Sequence, residues 1–214
     1  VFREDNTNLL MEALLGPIIY EIDYSKLIDG GYLVTPTVHL IKLPKTEGLN
    51  ESAYATIYKE GIAENKVRND IIAKAALSLM NRGKSVMILV NQITHGKRLA
   101  KAIPGSEFSH AKSKDRASLW HQLKVKKLLC LITTLGDEGV DIPSLDATVI
   151  AAGGKSAIKV FQRLRCMTPA EGKDYAIVID FIDPYTYLRS HSRKRERLYK
   201  SEPKFKITYK DVKK

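Results

Sequence analysis

The stretch LLCLITTLGDEGVDIPSLDATVIAA, residues 128–152, decides the fold, because two short apolar runs in it flank a polar loop. The runs at 128–133 and 147–152 are apolar at nearly every position. That is typical of strands buried on both faces of a parallel sheet. The loop between them carries Gly, Asp and Pro, which end regular structure. The stretch therefore predicts two buried strands joined by a polar loop.

Similar runs continue on both sides, separated by segments with helical spacing. The predicted strands are TPTVHLIKL (35–43), SVMILV (85–90), EFSH (107–110) and DYAIVID (174–180), and the predicted helices are 94–103, 114–124 and 157–164. Strands alternating with helices predict an α/β fold, a doubly wound parallel sheet with helices on both faces. Trp120, spaced helically with Leu119 and Leu123, is interpreted as a core residue.

The ends of the chain complete the prediction. A helix is expected at 5–16, a strand at IIYEID (18–23), a helix at 24–32, helices over 51–83 with breaks near Gly61 and Asn65, a basic helix at 187–200 and a strand at KFKITY (204–209). The net charge is +11, and residues 189–214 hold eleven Lys or Arg against three Asp or Glu. This basic surplus favours a polyanion partner such as nucleic acid, with a solvated basic tail as the alternative.

Composition excludes several classes of protein. No apolar run approaches the roughly 18–20 residues that span a bilayer, and no signal peptide is recognised. Cys130 and Cys166 are the only cysteines, so we expect no disulfide framework and a reducing, intracellular location. The five His show no metal-ligand spacing with Cys or acidic residues, and no metal site is predicted.

The segment Gly153-Gly154-Lys155-Ser156 follows a predicted strand and looks like a nucleotide-binding loop. A Walker A loop needs another glycine five residues before the second of these, and that position is Val149, inside the strand. We therefore interpret the segment as a tight turn. A site for the single phosphate of a phosphorylated metabolite is the weaker alternative.

In parallel sheets, ligands bind beyond the carboxyl ends of the strands. The residues that follow the predicted strands are therefore the first candidates for a functional site. They are Asn91–Gln92, Ser109–His110, Thr133–Thr134, Gly153–Ser156 and Asp180–Asp183.

Five segments in order resemble motifs of superfamily 2 helicases. Thr133–Thr134 with Gly139-Val140-Asp141-Ile142-Pro143 resembles motif V, and FQRLR (161–165) resembles motif VI. Residues 85–92 resemble motif IV, and 108–124 resembles the block between motifs IV and V, with His110 and Arg116 in register. VFREDN (1–6) is similar to the segment after motif III in XPB-like and phage-type DNA helicases.

The resemblance covers nearly all of 1–183 and implies a second, RecA-like motor domain of an ATP-dependent DNA helicase or translocase. It divides the chain into a linker segment (1–50), a RecA-like domain (51–183) and a basic C-terminal extension (184–214). In the family, ATP and Mg²⁺ are bound mainly by an N-terminal RecA-like domain with a P-loop, which this sequence lacks. We therefore expect the chain to need that domain as a partner and to be inactive alone.

The resemblance also implies residue roles. Gly139 and Asp141 would contact the nucleotide, and Gln162, Arg163 and Arg165 would be catalytic, with Arg165 the main arginine finger. DNA backbone contacts would come from Asn91, Gln92, His110, Lys112, Thr133 and Thr134. The plainer alternatives remain open: a turn residue at Asp141, strand-end or helix caps at the Thr and Asn–Gln pairs, a structural His110, and ordinary ion pairs at the arginines.

Motif VI departs from the family pattern. Aligned without a gap, its two arginine-finger positions are Cys166 and Pro169; with one residue deleted, they are Arg165 and Thr168. We favour the deletion, but either alignment lacks at least one expected arginine. A non-catalytic RecA-like module that binds nucleic acid is therefore the alternative function.

Overall fold

The computed structural model describes residues 13–17, 19–20, 22–45, 53–134, 142–154 and 164–212, without the side chain of Arg165. Besides a helical turn at 13–15, the helices are α1 (Tyr24–Asp29), α2 (Tyr54–Tyr58), which runs into a π-helical turn (Lys59–Ala63), α3 (Lys66–Met80), α4 (Ile93–Ala102), α5 (Arg116–Lys124), a 3-10 turn (Arg165–Met167) and α6 (Thr186–Lys200). None of these described helices combines the length and the apolar character needed to cross a membrane.

The strands are β1 (Thr35–Lys42), β2 (Val86–Leu89), β3 (Ser106–Ser109), β4 (Cys130–Thr133), β5 (Ala147–Ile150), β6 (Tyr175–Ile182) and β7 (Lys206–Asp211). Within the described residues they form a seven-stranded sheet in the order β3-β4-β2-β5-β6-β1-β7. Every pairing is parallel. The predicted doubly wound parallel sheet is confirmed.

Alternate residues of the central strand β2 enter two separate cores. Val86 and Ile88 point to one face, where they belong to the same cluster as Ile72 of α3 and Leu99 of α4. All four side chains are fully buried. This face of the sheet is therefore covered by α3 and α4.

The other face is built from the intervening residues of β2. Met87 and Leu89 share a cluster with Trp120 of α5 and Tyr199 of α6. Trp120 is buried, which confirms its interpretation as a core residue. Helices thus cover both faces of the sheet, and every residue of β2, β4 and β5 is buried.

The sheet runs across both domain boundaries that the sequence suggests. β1 lies in the predicted linker segment, yet it pairs with β6 over eight residues and with β7 over six. β7 lies in the predicted C-terminal extension. The predicted basic helix is confirmed as α6, whose Leu188, Ser192 and Tyr199 are buried. Residues 186–211 therefore form a layer of the fold rather than a wholly solvated tail.

Other local predictions have mixed outcomes. The break expected near Gly61 and Asn65 is confirmed, because the π-helical turn ends there and the Asn65 side chain caps α3 at the Arg68 amide, 2.9 Å away. The predicted strand IIYEID is wrong where it is described: Ile19 lies outside any strand and is 95% exposed. Most of the predicted helices at 5–16 and 157–164 lies outside the described residues.

His95 on α4 is a buried histidine that the sequence analysis did not single out. Its Nε2 lies 2.9 Å from the Asn69 carboxamide oxygen, and its Nδ1 has no hydrogen-bond partner among the described residues. Burial lowers the pKa of His95 to about 3, helped by the positive charges of Arg68 and Arg98. The folded protein therefore keeps this imidazole neutral at pH values where an exposed histidine is protonated.

We expect the free energy of unfolding to fall as the pH drops below 6.5, because His95 then binds a proton in the unfolded chain but not in the folded protein. At about 1.4 kcal/mol per pH unit, the loss at pH 5 is about 2 kcal/mol relative to pH 7. Urea unfolding at pH 7 and pH 5 measures it. His95→Gln should shrink the difference, whereas the exposed control His121→Gln should keep it. Equal pH dependence in both variants would contradict the assignment.

Candidate nucleic-acid and nucleotide site

Four of the segments predicted to bind ligands lie side by side at one edge of the sheet. His110 follows β3, Thr134 follows β4, Asn91 follows β2, and Gly153 stands near the end of β5. These four strands are consecutive neighbours and all run in the same direction. With strands about 4.8 Å apart, the four segments form one row along the carboxyl edge. Residues far apart in sequence are thereby gathered into one surface.

Asn91 and Gln92 form the centre of this row. Asn91 is exposed, and its Nδ2 donates to the Ala152 carbonyl at 3.4 Å, which links the ends of β2 and β5. Gln92 is the residue that precedes α4, but its side chain makes no capping hydrogen bond. Gln92 thus occupies the N-cap position that the plainer alternative assigned to it, but its side chain does not cap the helix.

His110 and Lys112 lie in a tight loop after β3. The His110 amide donates to Ser113 Oγ at 2.9 Å, and His110 Nδ1 accepts from the Lys112 amide at 3.2 Å. A neutral imidazole that accepts at Nδ1 carries its proton on Nε2. Together with the exposed ammonium of Lys112, this gives the loop two hydrogen-bond donors suited to phosphate oxygens.

The two predicted threonines occupy different environments. Thr133 is the last residue of β4 and is fully buried. Thr134 is half-buried, and its amide lies 3.4 Å from the Ser109 carbonyl of the neighbouring strand. Of the pair, only Thr134 reaches the surface of the carboxyl edge.

The predicted nucleotide-contacting and catalytic residues are mostly not described. Gly139, Asp141, Gln162 and Arg163 lie outside the described residues, and only the backbone of Arg165 is described. Arg165 begins the 3-10 turn that leads toward β6. Their arrangement therefore remains a prediction.

Cys166, next to Arg165, is fully buried. Its Sγ lies 3.5 Å from the Ile177 carbonyl, against β6. Burial raises the pKa of the Cys166 thiol, so it stays neutral. This position therefore offers no charge to a ligand.

The two glycines after β5 form the turn that resembles a nucleotide-binding loop. Gly153 and Gly154 have φ values of +65° and +99°, which side-chain-bearing residues rarely adopt. A Cβ on Gly153 would also lie 2.8 Å from Ile62 Cδ1. These observations support the interpretation of a tight turn. The helix predicted after it lies outside the described residues.

Buried cations and a tyrosine bind the backbone of this same turn. Arg68 Nη2 donates to the Ala151 carbonyl at 3.2 Å, and Tyr58 Oη donates to the Ala152 carbonyl at 2.8 Å. Arg195 Nη1 donates to the Gly154 carbonyl. Three carbonyls of the segment 151–154 are thus fixed by donors from three different helices, α2, α3 and α6. This segment precedes residues 161–165, which resemble motif VI.

Each of these arginines is neutralised by an aspartate at the end of β6. Arg195 forms a bidentate pair with Asp180, with Nε–Oδ2 at 2.8 Å and Nη2–Oδ1 at 3.0 Å. Arg68 pairs with Asp183, and all four side chains are at most 1% exposed. Burial raises the pKa of Asp183, against the opposing charge of Arg68.

Sequence reasoning flagged the two aspartates by their position after a strand but missed both arginine partners. Arg68 reads as one more charged residue of an amphipathic helix, and Arg195 lies within the run SRKRER (192–197). A run of that kind normally marks a solvated face. The only signal in the sequence for these ion pairs was an aspartate within an apolar strand and a second one directly after it. A buried carboxylate requires a partner, so these positions imply buried cations.

The described residues contain no group of three or more His, Cys, Asp or Glu side chains that could hold a metal ion. No ligand of Mg²⁺ is therefore assigned to this part of the chain.

No protein-family model matches the sequence. The chain is 28% identical over 224 aligned residues to a protein named helicase 22 of the Sulfolobus islandicus filamentous virus (isolate Iceland/Hveragerdi), with 94% of this chain and 39% of that protein covered. It is 27% identical to a protein of Haloarcula marismortui named DNA 3'-5' helicase Rad25, with 78% and 28% covered. The chain thus spans about two fifths or less of these relatives.

Solved structures share the fold. The fragment of an HsdR subunit of a type I restriction enzyme from Vibrio vulnificus YJ016 matches 99% of this chain and 42% of its own, with a TM-score of 0.72 at 20% identity. UvsW of T4 matches 83% and 41%, with a TM-score of 0.66 at 22% identity. At these identities the likeness shows the fold alone.

The parallel sheet covered on both faces, together with these structural matches, defines a RecA-like α/β domain. Its sequence relatives are named as helicases. The chain is therefore similar in sequence to proteins named as helicases and shares a RecA-like fold with these solved structures.

Proposed function

We propose that this chain is the second motor domain of an ATP-dependent superfamily 2 DNA helicase or translocase. The row of Asn91, His110 and Thr134 at the carboxyl edge carries the proposal. These residues come from three separate segments, yet the strand order makes them neighbours on one surface. Donors arranged along an edge, and not around a closed pocket, suit contacts to successive phosphates of a strand. Gln92 and Lys112 would add to these phosphate contacts. Thr133 is buried, so we propose that it contributes only through its backbone at the end of β4.

On the nucleotide side, we assign the arginine finger to Arg165, supported by Arg163 and Gln162. The finger neutralises charge that builds on the transferred phosphoryl group. The burial of Cys166 supports this assignment, because the ungapped alignment would place a neutral, buried thiol at the finger position. Gly139 and Asp141 are proposed to contact the nucleotide.

The primary ATP and Mg²⁺ site is proposed to lie on a separate N-terminal RecA-like domain of the same protein. The chain matches only 39% of the length of its viral relative, which leaves room for such a domain there. ATP would bind in the cleft between the two domains, and the chain would bring the arginine finger to it. We further propose an intracellular location, where DNA and ATP are both present.

Replacing His110 and Lys112 together with Ala is expected to weaken binding of single-stranded DNA and to lower its salt dependence. Each phosphate contact contributes about 0.7 to the slope of log affinity against log salt on a single strand. Lys112 carries the charge, so the slope should fall by about 0.7. Fluorescence anisotropy of a labelled oligonucleotide across a salt series measures both quantities.

The matched control is His121→Ala with Lys124→Ala. This pair has the same residue types, is exposed, and lies in the last turn of α5, which leads to the amino end of β4 at the opposite edge. We expect the control to retain the slope of the unmodified chain. If the two double variants lose affinity equally, the carboxyl edge is not the contact surface.

The second candidate is a non-catalytic RecA-like module that binds nucleic acid. The segment after Cys166 favours it, because Thr168 and Pro169 stand where either alignment expects the second arginine. Such a module would keep the DNA-binding edge and have no arginine finger. The two candidates differ in the effect of changing Arg165 on ATP hydrolysis.

A further inference from the structure

A second group of cations lies at the same edge of the sheet, on its other half. The carboxyl ends of β1 and β6, the residues after β6, and α6 enclose an open cleft of about 350 Å³. Its lining includes Lys42, Arg189, Arg193, Glu196 and Tyr209. The sequence pointed to a polyanion partner for the basic segment 189–214 as a whole, but it singled out none of these residues.

The donors of the cleft are exposed and only partly engaged within the chain. Arg189 and Arg193 are one helical turn apart on α6 and both exposed. Arg189 Nη2 donates to the Pro184 carbonyl at 2.7 Å, which fixes the guanidinium against the cleft wall. Among the described residues, the Arg193 side chain makes no hydrogen bond or ion pair, and it acts on Glu196 only through its positive charge. Lys42 pairs with Asp211 at 3.4 Å, with its side chain 48% exposed.

The acidic groups of the cleft are already compensated. Glu196 accepts from Lys200 Nζ at 2.8 Å and from Tyr209 Oη at 2.6 Å. Although burial opposes it, these donors hold the pKa of Glu196 below its usual value, and the group stays ionised. Asp183 is paired with Arg68. Arg193 adds to the positive field on Glu196, and the cleft keeps a surplus of positive charge because Arg189 and Arg193 are both exposed and share this one carboxylate with Lys200.

We propose that this cleft binds a phosphate group of a nucleic-acid strand. Its two guanidinium groups supply charge-assisted, planar donors, the geometry that phosphate oxygens prefer. β1 lies three strands from β2, a separation of about 14 Å at the carboxyl edge. Each strand of duplex DNA carries one phosphate per about 3.4 Å of helix axis, so this separation corresponds to about four nucleotides of a strand in duplex geometry. The inference rests on the proposed function and extends the contact surface across the whole sheet.

The test compares the double variant Arg189→Gln with Arg193→Gln against a matched double variant, Lys194→Gln with Arg197→Gln. The control residues are exposed positions of the same helix that do not line the cleft. Salt-dependent binding of a single-stranded oligonucleotide is measured for both pairs. The cleft pair should lower the salt slope by about 1.4, and the control pair by less than half of that. Arg193→Gln alone breaks no side-chain hydrogen bond or ion pair of the described structure, so we expect the fold to be retained, as checked by an unchanged urea midpoint, while the slope falls by about 0.7.

A second arm separates a nucleic-acid phosphate from free phosphate. The arginine side-chain NMR signals of the unmodified chain are followed with the oligonucleotide and, separately, with inorganic phosphate at equal ionic strength. Shifts of Arg189 and Arg193 with the oligonucleotide support the inference. Binding of the oligonucleotide without these shifts, or with equal losses in both variant pairs, overturns it while the proposed function stands. Shifts with inorganic phosphate alone keep a phosphate site and overturn the nucleic-acid assignment.

Discussion

Replacement of Arg195 with Met is expected to lower the free energy of unfolding by about 3–5 kcal/mol. The side chain is 1% exposed and pairs with Asp180 through two hydrogen bonds. It also donates to the carbonyls of Phe181 and Gly154. Met fills similar volume but leaves a buried carboxylate without its cation, a change that typically costs this much. Urea denaturation measures it as a lower midpoint.

The control is Arg197→Met, an exposed arginine two residues further along the same helix. Exposed substitutions away from such networks usually change stability by less than about 0.5 kcal/mol. Adding Asp180→Asn to Arg195→Met should recover part of the loss, because it removes the uncompensated charge. Equal midpoints for Arg195→Met and Arg197→Met would show that the pair does not stabilise the fold. These contacts also bear on truncation of the basic segment. A chain that ends at residue 183 would lose both Arg195 and β7, so a change in its DNA binding could reflect a damaged fold.

The fold was largely predictable because its signal is local and repeated. Each central strand is a short run that is apolar on both faces. In the sequence, β2 and β5 are followed by segments with helical spacing, and β4 is followed by a polar loop. That combination occurs when a parallel sheet is covered on both sides. The strand IIYEID failed for a related reason. Its local pattern is compatible with a strand, but a strand also needs a pairing neighbour, and that information is not local.

The candidate site was predictable only in part. Positions such as Asn91 and His110 follow from the rule that parallel strands end at one edge. The sequence could not show that Thr133 is buried while Thr134 reaches the surface, because that depends on where β4 ends. Nor could it show Arg195 turning inward from a basic run, since its burial depends on α6 packing over β6. The cleft lined by Arg189 and Arg193 was not predictable either, because it forms where α6 meets the ends of β1 and β6 in the folded chain.

The largest effect is expected from Arg165→Ala in a protein that joins this chain to the proposed N-terminal RecA-like domain. Removing an arginine finger should slow ATP hydrolysis by about 10³-fold or more, because the charge on the transferred phosphoryl group is no longer neutralised. ATP binding should change little, since the proposed N-terminal domain would hold most of the nucleotide. The matched control is Arg82→Ala, an exposed arginine just after α3 that is bonded to Ser78 and precedes β2 at the opposite edge.

The most direct test is the steady-state rate of ATP hydrolysis by this two-domain protein with single-stranded DNA. It is measured for the unmodified protein, Arg165→Ala and Arg82→Ala, beside the present chain alone. If the chain is a second motor domain, we expect no turnover by the chain alone. The joined protein and its Arg82→Ala variant should show DNA-stimulated turnover, and Arg165→Ala should lower that rate by about 10³-fold. Turnover that is unchanged by Arg165→Ala would contradict the account and favour the non-catalytic module.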